Sequence, residues 1–143
     1  MERADMGRVL TEATIENLGD LVDADRGRIT LEQVRRITVN DALVDTGARA
    51  LALPTRLIRQ LGLKKVYQKR ATSSTGTGVD VYEAVRLTIQ DRQMPLDVLE
   101  VPDSAAVLIG QIPLTYFDLV IDPRSRRLIG NPAHGGEHIF ELL

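Results

Sequence analysis

Apolar residues in this chain come in short runs, many of them rich in Val, Ile, Leu and Thr, and turn-forming residues break nearly every one. Val9 to Ile15, Leu31 to Val39, Ala42 to Val44, Ala50 to Leu53, Val66 to Ala71 and Val79 to Ile89 each suit a strand. So do Leu96 to Val101, Val107 to Ile109, Leu119 to Ile121 and Arg127 to Ile129. Branched apolar residues fit a pleated, half-buried surface. Asn40-Asp41, Asp91-Arg92 and Asp122-Pro123-Arg124-Ser125 are turn signals, and Gly19 to Arg28 reads as a turn or hairpin end. Many short strands with frequent turns predict an all-β barrel or sandwich. Helical spacing stands out after Pro54, where Leu57, Ile58 and Leu61 share a face and Gly62 sits where a C-terminal cap belongs. Pro113 to Leu119 reads as a second short helix. The length of 143 residues predicts one domain, spanning 1–143.

Composition narrows the chemistry. The chain has no cysteine, which removes disulfides, thiolate metal sites and thiol nucleophiles. Two histidines leave little room for a multi-histidine metal site, so no metal and no cofactor is expected. Basic residues number 18 and acidic residues 20, a balance that predicts no nucleic-acid partner. The charged start, Met1-Glu2-Arg3-Ala4-Asp5-Met6-Gly7-Arg8, is not a secretory signal. No window approaches the ~18 apolar residues of a spanning helix. A cytoplasmic protein with no membrane partner is the expectation. What remains for hard chemistry is mostly carboxylate.

One carboxylate is placed unusually. The run Ala42-Leu43-Val44 ends abruptly at Asp45-Thr46-Gly47-Ala48, and Ala50 to Leu53 is apolar again. A surface turn carries polar residues on both sides of its Asp. Here the flanks put Asp45 at the edge of the interior, a costly position unless hydrogen bonds compensate it. Thr46 offers a hydroxyl, and Gly47 permits close backbone approach.

Asp45-Thr46-Gly47-Ala48 behind two apolar residues resembles the active-site signature of retroviral-type aspartic proteases. Leu108-Ile109-Gly110, with Ile112 to Leu119 following, resembles the apolar-apolar-Gly element and short helix of that family. The polar tip Thr72 to Gly78 lies between the two, where the family has its flap, and Thr75-Gly76-Thr77-Gly78 is similar to the flap tip of pepsin-type enzymes. A Leu-Pro helix after the active-site turn, as in Leu53 to Gly62, matches the bacterial retropepsin-like class. The resemblance spans Leu31 to Ile129. It implies an all-β, closed acid-protease-type barrel with one or two short helices and one lobe per chain.

Asp-Thr-Gly occurs once. The chemistry of the family needs two carboxylates sharing a proton, one activating a water and one donating to the substrate carbonyl. The resemblance therefore implies a C₂ homodimer in which each subunit contributes Asp45 to an aspartic endopeptidase. It assigns Thr46 to a hydrogen bond across the dimer and Gly47 to backbone contacts with dyad and substrate. Ala48 lacks the hydroxyl of pepsin-like enzymes, so a working pH nearer neutral is expected. Ser74, Thr75, Gly76, Thr77 and Gly78 are assigned to flap and peptide binding, and Leu108, Ile109 and Gly110 to the structure beneath the active site. Peptide or protein substrates are the implied partners. The alternative is a non-catalytic dimer of the same fold that binds a peptide or partner protein, and a further one is a protease confined to its own precursor or one dedicated target. Residues 1–30 and 131–143 lie outside the firm resemblance and are open to a barrel or a dimer-interface role.

Other features carry less. His134-Gly135-Gly136-Glu137-His138 matches the H-x-x-E-H pattern of zinc proteases. That chemistry needs a helix, and two adjacent glycines cost a helix about 2 kcal/mol relative to alanine. The match is read as fortuitous. Lys64-Lys65, Lys69-Arg70 and Arg124-Ser125-Arg126-Arg127 are read as solvated basic turns. Tyr67 and Tyr82 flank the hairpin and suit either substrate pockets or cross-strand pairing.

Overall fold

A computed structural model describes residues 8–70 and 78–138. The chain runs β1 (Leu10–Asn17), α1 (Leu18–Asp25), β2 (Arg36–Val44), β3 (Leu51–Pro54), α2 (Thr55–Leu61), β4 (Lys64–Arg70) and β5 (Gly78–Ile89). It continues through β6 (Arg92–Val101), β7 (Leu108–Ile109), α3 (Gln111–Phe117), β8 (Leu119–Asp122) and β9 (Arg127–Gly130). Strands β1, β2, β7, β3, β6 and β5 are hydrogen-bonded in that order, and β5 pairs back onto β1 to close a six-stranded ring. Closure leaves the ring without a free edge. Strand β4 pairs with β5 outside it, and β8–β9 form a separate hairpin.

Period-two burial aims one face of each long strand inward. In β5, Val85, Leu87 and Ile89 are buried. They meet Ile15, Leu51, Leu53, Leu61, Val98, Ile109 and Phe117 in one core. Strand β2 absorbs the Asn40-Asp41 turn signal as a bulge. Its register with β1 passes from Thr11↔Ala42 to Ala13↔Val39, so β2 carries an extra residue there. The strand expected over Leu31 to Val39 begins only at Arg36. Leu31–Gln33 form a 3-10 turn, closed by reciprocal bonds between Thr30 and Gln33.

Among the described residues the barrel carries three short α-helices, where one or two were expected. The extra one is α1, in the segment read as a turn from its Asp and Gly content. Asn17 caps it, accepting from the Asp20 N–H at 3.0 Å, and Asn17 Nδ2 donates to the Leu61 carbonyl at 2.8 Å. Asp20 takes Arg35 in a fork: Nε to Oδ2 at 2.9 Å, Nη2 to Oδ1 at 3.0 Å, and the Arg35 N–H to Oδ2 at 3.0 Å. Tertiary bonds thus convert a turn-like composition into helix.

Charge also secures the closure. Glu16, only 6% exposed, stands in register with Arg36 on β2 and Arg86 on β5. Arg36 Nε reaches its Oε2 at 3.2 Å, and Arg86 Nη2 its Oε1 at 2.8 Å. A charge this buried requires such partners.

Arg35 side-chain bonding holds the Asp20 carboxyl below its ordinary 3.8, against the opposing effect of burial. A depressed value contributes stability above the unfolded pKa, and that stability is lost as pH falls through the folded one. Asp20→Asn is therefore expected to lower stability at pH 7 by about 2 kcal/mol. The gap to wild type should close in urea titrations below about pH 4. A gap of equal size at pH 7 and pH 3 would contradict the ion-pair account.

Candidate active site

Asp45 follows the last residue of β2, and parallel pairing of β2 with β7 fixes where that end lies (Leu43↔Leu108, Val44↔Ile109). The Asp45 N–H donates to the Ile109 carbonyl at 3.0 Å, and the Leu43 N–H to the Val107 carbonyl at 2.8 Å. The Val44 N–H donates to the Val9 carbonyl at 2.9 Å, so the N-terminal segment supports the site from the other side. The chain then turns, with the Ala48 N–H on the Asp45 carbonyl at 3.1 Å. It returns as β3 antiparallel to β7 (Leu51↔Ile109). Strand β7 thus lies between the two strands that carry the Asp45 loop.

Within the loop the Gly47 N–H donates to Asp45 Oδ1 at 2.9 Å. This is the compensation a carboxylate at the edge of the interior needs. Asp45 and Ala48 are half-buried, whereas Thr46 and Gly47 are exposed. A Cβ at Gly47 would stand 3.2 Å from Asp45 Oδ1, so glycine lets the amide approach.

Three amides at the start of α3 hold the far side of the loop. The Gly110 N–H donates to Ala50 O at 2.9 Å, Gln111 N–H to Ala48 O at 2.8 Å, and Ile112 N–H to Arg49 O at 2.8 Å. Helix α3 has no side-chain cap at its start. Loop carbonyls satisfy these early amides instead. A Cβ at Gly110 would lie 2.5 Å from the Arg49 carbonyl carbon and 2.6 Å from Ala50 N and O. Glycine is required there by backbone contact rather than by φ.

The structure brings together Asp45, Thr46, Gly47, Ala48, Leu108, Ile109 and Gly110, as the sequence reading grouped them. Ser74, Thr75, Gly76 and Thr77 lie outside the described residues. Gly78 opens β5 opposite Arg70. Tyr82 is half-buried against the core and donates to Glu100 Oε1 at 3.2 Å, while Tyr67 is 47% exposed. The sequence reading missed the roles of Val9, Arg49 and Ala50, which act through main-chain atoms and leave no side-chain signature.

The H-x-x-E-H segment forms no α-helix. Pro132–His134 is a 3-10 turn, and Gly135 and Gly136 have φ of +66° and +80°. His134 Nδ1 bonds the Asp118 carboxylate, and His138 Nε2 contacts the Tyr116 carbonyl at 2.8 Å. Among the described residues no three His, Asp or Glu side chains are grouped to hold a metal. Nor is any described helix long and apolar enough to cross a membrane.

A sequence model described as aspartyl protease matches residues 28–112, more than half of the chain, taking in the Asp45 loop, the β4–β5 hairpin and Gly110. The chain belongs to the aspartyl protease family. This aspartyl protease-family chain also shares the retropepsin-like fold. The retroviral protease-like domain of Ddi1 from Leishmania major superposes with a TM-score of 0.50 at 13% identity, over 86% of this chain and 89% of that one. At that identity the likeness speaks for the fold alone. No curated protein matches the sequence.

Gly110→Ala drives a methyl into main-chain atoms that have no rotamer to yield. It is expected to destabilise the protein by about 1–3 kcal/mol in urea unfolding. An unchanged midpoint would show that the α3 start and the Asp45 loop are not in hard contact.

Proposed function

We propose that the protein is an aspartic endopeptidase that works as a cytoplasmic homodimer, each chain supplying one lobe and one Asp45. The observation that carries this reading is the Asp45 loop: a half-buried carboxylate held by the Gly47 amide, flanked by exposed Thr46 and Gly47, and present once per chain. Two such loops meeting on a twofold axis place two carboxylates side by side. Close like charges share one proton, which leaves one carboxylate as base and one as acid.

The ionised Asp45 takes a proton from a water. The water oxygen attacks the peptide carbonyl carbon, and the protonated Asp45 of the other subunit gives its proton to the carbonyl oxygen. Collapse of the tetrahedral diol breaks the C–N bond as the amine leaves with a proton from the dyad. No cofactor enters this sequence. The exposed Thr46 hydroxyl is free among the described residues to bond the partner loop. The arms of the β4–β5 hairpin are suited to hold an extended peptide by main-chain bonds.

Incubation of wild type and Asp45→Asn with a diverse peptide library tests the reading. Wild type is expected to cleave, and Asp45→Asn to lose about a thousandfold in rate with its unfolding midpoint kept. Cleavage by wild type should extend toward neutral pH, because Ala48 gives the carboxylates one donor fewer than a hydroxyl residue does. Peptide binding without cleavage at any pH from acid to neutral would overturn the enzyme reading. Activity confined to strongly acidic pH would overturn the role given to Ala48.

A further inference from the structure

The β4–β5 hairpin leaves the barrel at a definite place. Strand β5 pairs with β6 through Tyr82↔Val98 and Val81↔Leu99, and there that pairing ends. Gly78, Val79 and Asp80 pair only with β4, opposite Arg70, Lys69 and Gln68. From Val81 outward the hairpin is a two-stranded ribbon, and its direction depends on how Val81 and Tyr82 are seated. An isolated two-stranded ribbon has little stability of its own.

A hydroxyl–carboxylate cluster sits at that root. Tyr82 Oη donates to Glu100 Oε1 at 3.2 Å, and Thr55 Oγ1 donates to Glu100 Oε2 at 2.6 Å. Thr55 opens α2, and the parallel pairing Leu53↔Glu100 and Pro54↔Val101 brings it beside Glu100. Glu100 is half-buried and makes no ion pair among the described residues. Each of its oxygens takes a hydroxyl. Charge-assisted hydrogen bonds of this kind are stronger and more directional than neutral ones. Burial, and then the Glu100 charge, push the Tyr82 hydroxyl above its ordinary 10.0, so it stays a donor at every working pH.

We propose that Glu100 is a positioning residue for the hairpin: its carboxylate clamps Tyr82, at the root of the ribbon, to Thr55, at the start of α2. The clamp sets the angle at which the hairpin leaves the barrel. If the hairpin holds the peptide, as in the endopeptidase reading on which this consequence rests, Glu100 governs substrate binding without touching substrate.

Amide hydrogen exchange and steady-state kinetics on the full chain test the clamp. In Glu100→Ala, amides of the β4–β5 ladder outside Val81 are expected to exchange about tenfold faster. Those of the β1–β2 and β2–β7 ladders should keep their wild-type rates. KM should rise about tenfold with kcat within about twofold, as expected when an interaction that serves binding alone is lost. Tyr82→Phe, which keeps the ring and removes only the hydroxyl, should reproduce the hairpin exchange. Glu100→Gln, which retains one acceptor oxygen, should fall between wild type and Glu100→Ala. Unchanged hairpin exchange in Glu100→Ala and Tyr82→Phe would overturn the proposal, and so would uniform acceleration across the barrel. If wild type cleaves no peptide, the kinetic arm fails with the endopeptidase reading, and the exchange arm still decides the clamp.

Discussion

Two residues of β7, Leu108 and Ile109, hold the site together. They lie between β2 and β3, parallel to one and antiparallel to the other. Removing them would leave the strand that ends at Asp45 without its inner neighbour. The contact continues past the strand, where the amides of 110–112 take the carbonyls of 48–50. The loop bearing Asp45 is therefore bonded on both flanks by main chain, and its Thr46-Gly47 tip faces outward. Backbone bonding of this kind holds a catalytic group in place better than side-chain contacts, because fewer rotatable bonds intervene. Its requirement for a residue without Cβ at Gly110 is the strictest steric demand in the site.

The ring itself closes through β1, which pairs with β2 on one side and β5 on the other. Glu16 bonds an arginine from each neighbour, so the closing strand is tied by charge as well as by the ladder. Four residues on, Asp20 and its partner Arg35 do similar work for α1. Both networks meet at the start of β2, at the end of that strand opposite the one that leads into Asp45. They stabilise the scaffold rather than the chemistry. Arg92 plays the matching part for the C-terminal segment, donating to the Phe117 and Gly136 carbonyls at 2.6 Å each.

Much of this was legible in the residues. The apolar run into Asp45-Thr46-Gly47, the Leu-Ile-Gly element and the helix ending at Gly62 each carry local signals; the structure forms all three, with Pro54 closing β3 and the helix starting at Thr55. Helix α1 was not legible, because Asp20 and Gly19 favour turns until Asn17 and Arg35 supply tertiary partners. The bulge at Asn40-Asp41 was misread for a related reason: the same residues that end a strand also suit an extra residue within one. Support from Val9, Arg49 and Ala50 was invisible, since any residue type offers the same carbonyl. Glu100 was overlooked because a lone carboxylate on an exposed-looking strand gives no sign of the hydroxyls that converge on it.

Half an active site per chain is the central claim, and subunit mixing tests it most directly. Wild type co-refolded with a ninefold excess of Asp45→Asn places nearly every wild-type chain in a mixed dimer. Peptidase activity per wild-type chain is then expected to fall to about a tenth, because only paired wild-type chains carry a complete dyad. Activity per wild-type chain that stays constant as the variant is added would contradict a shared dyad.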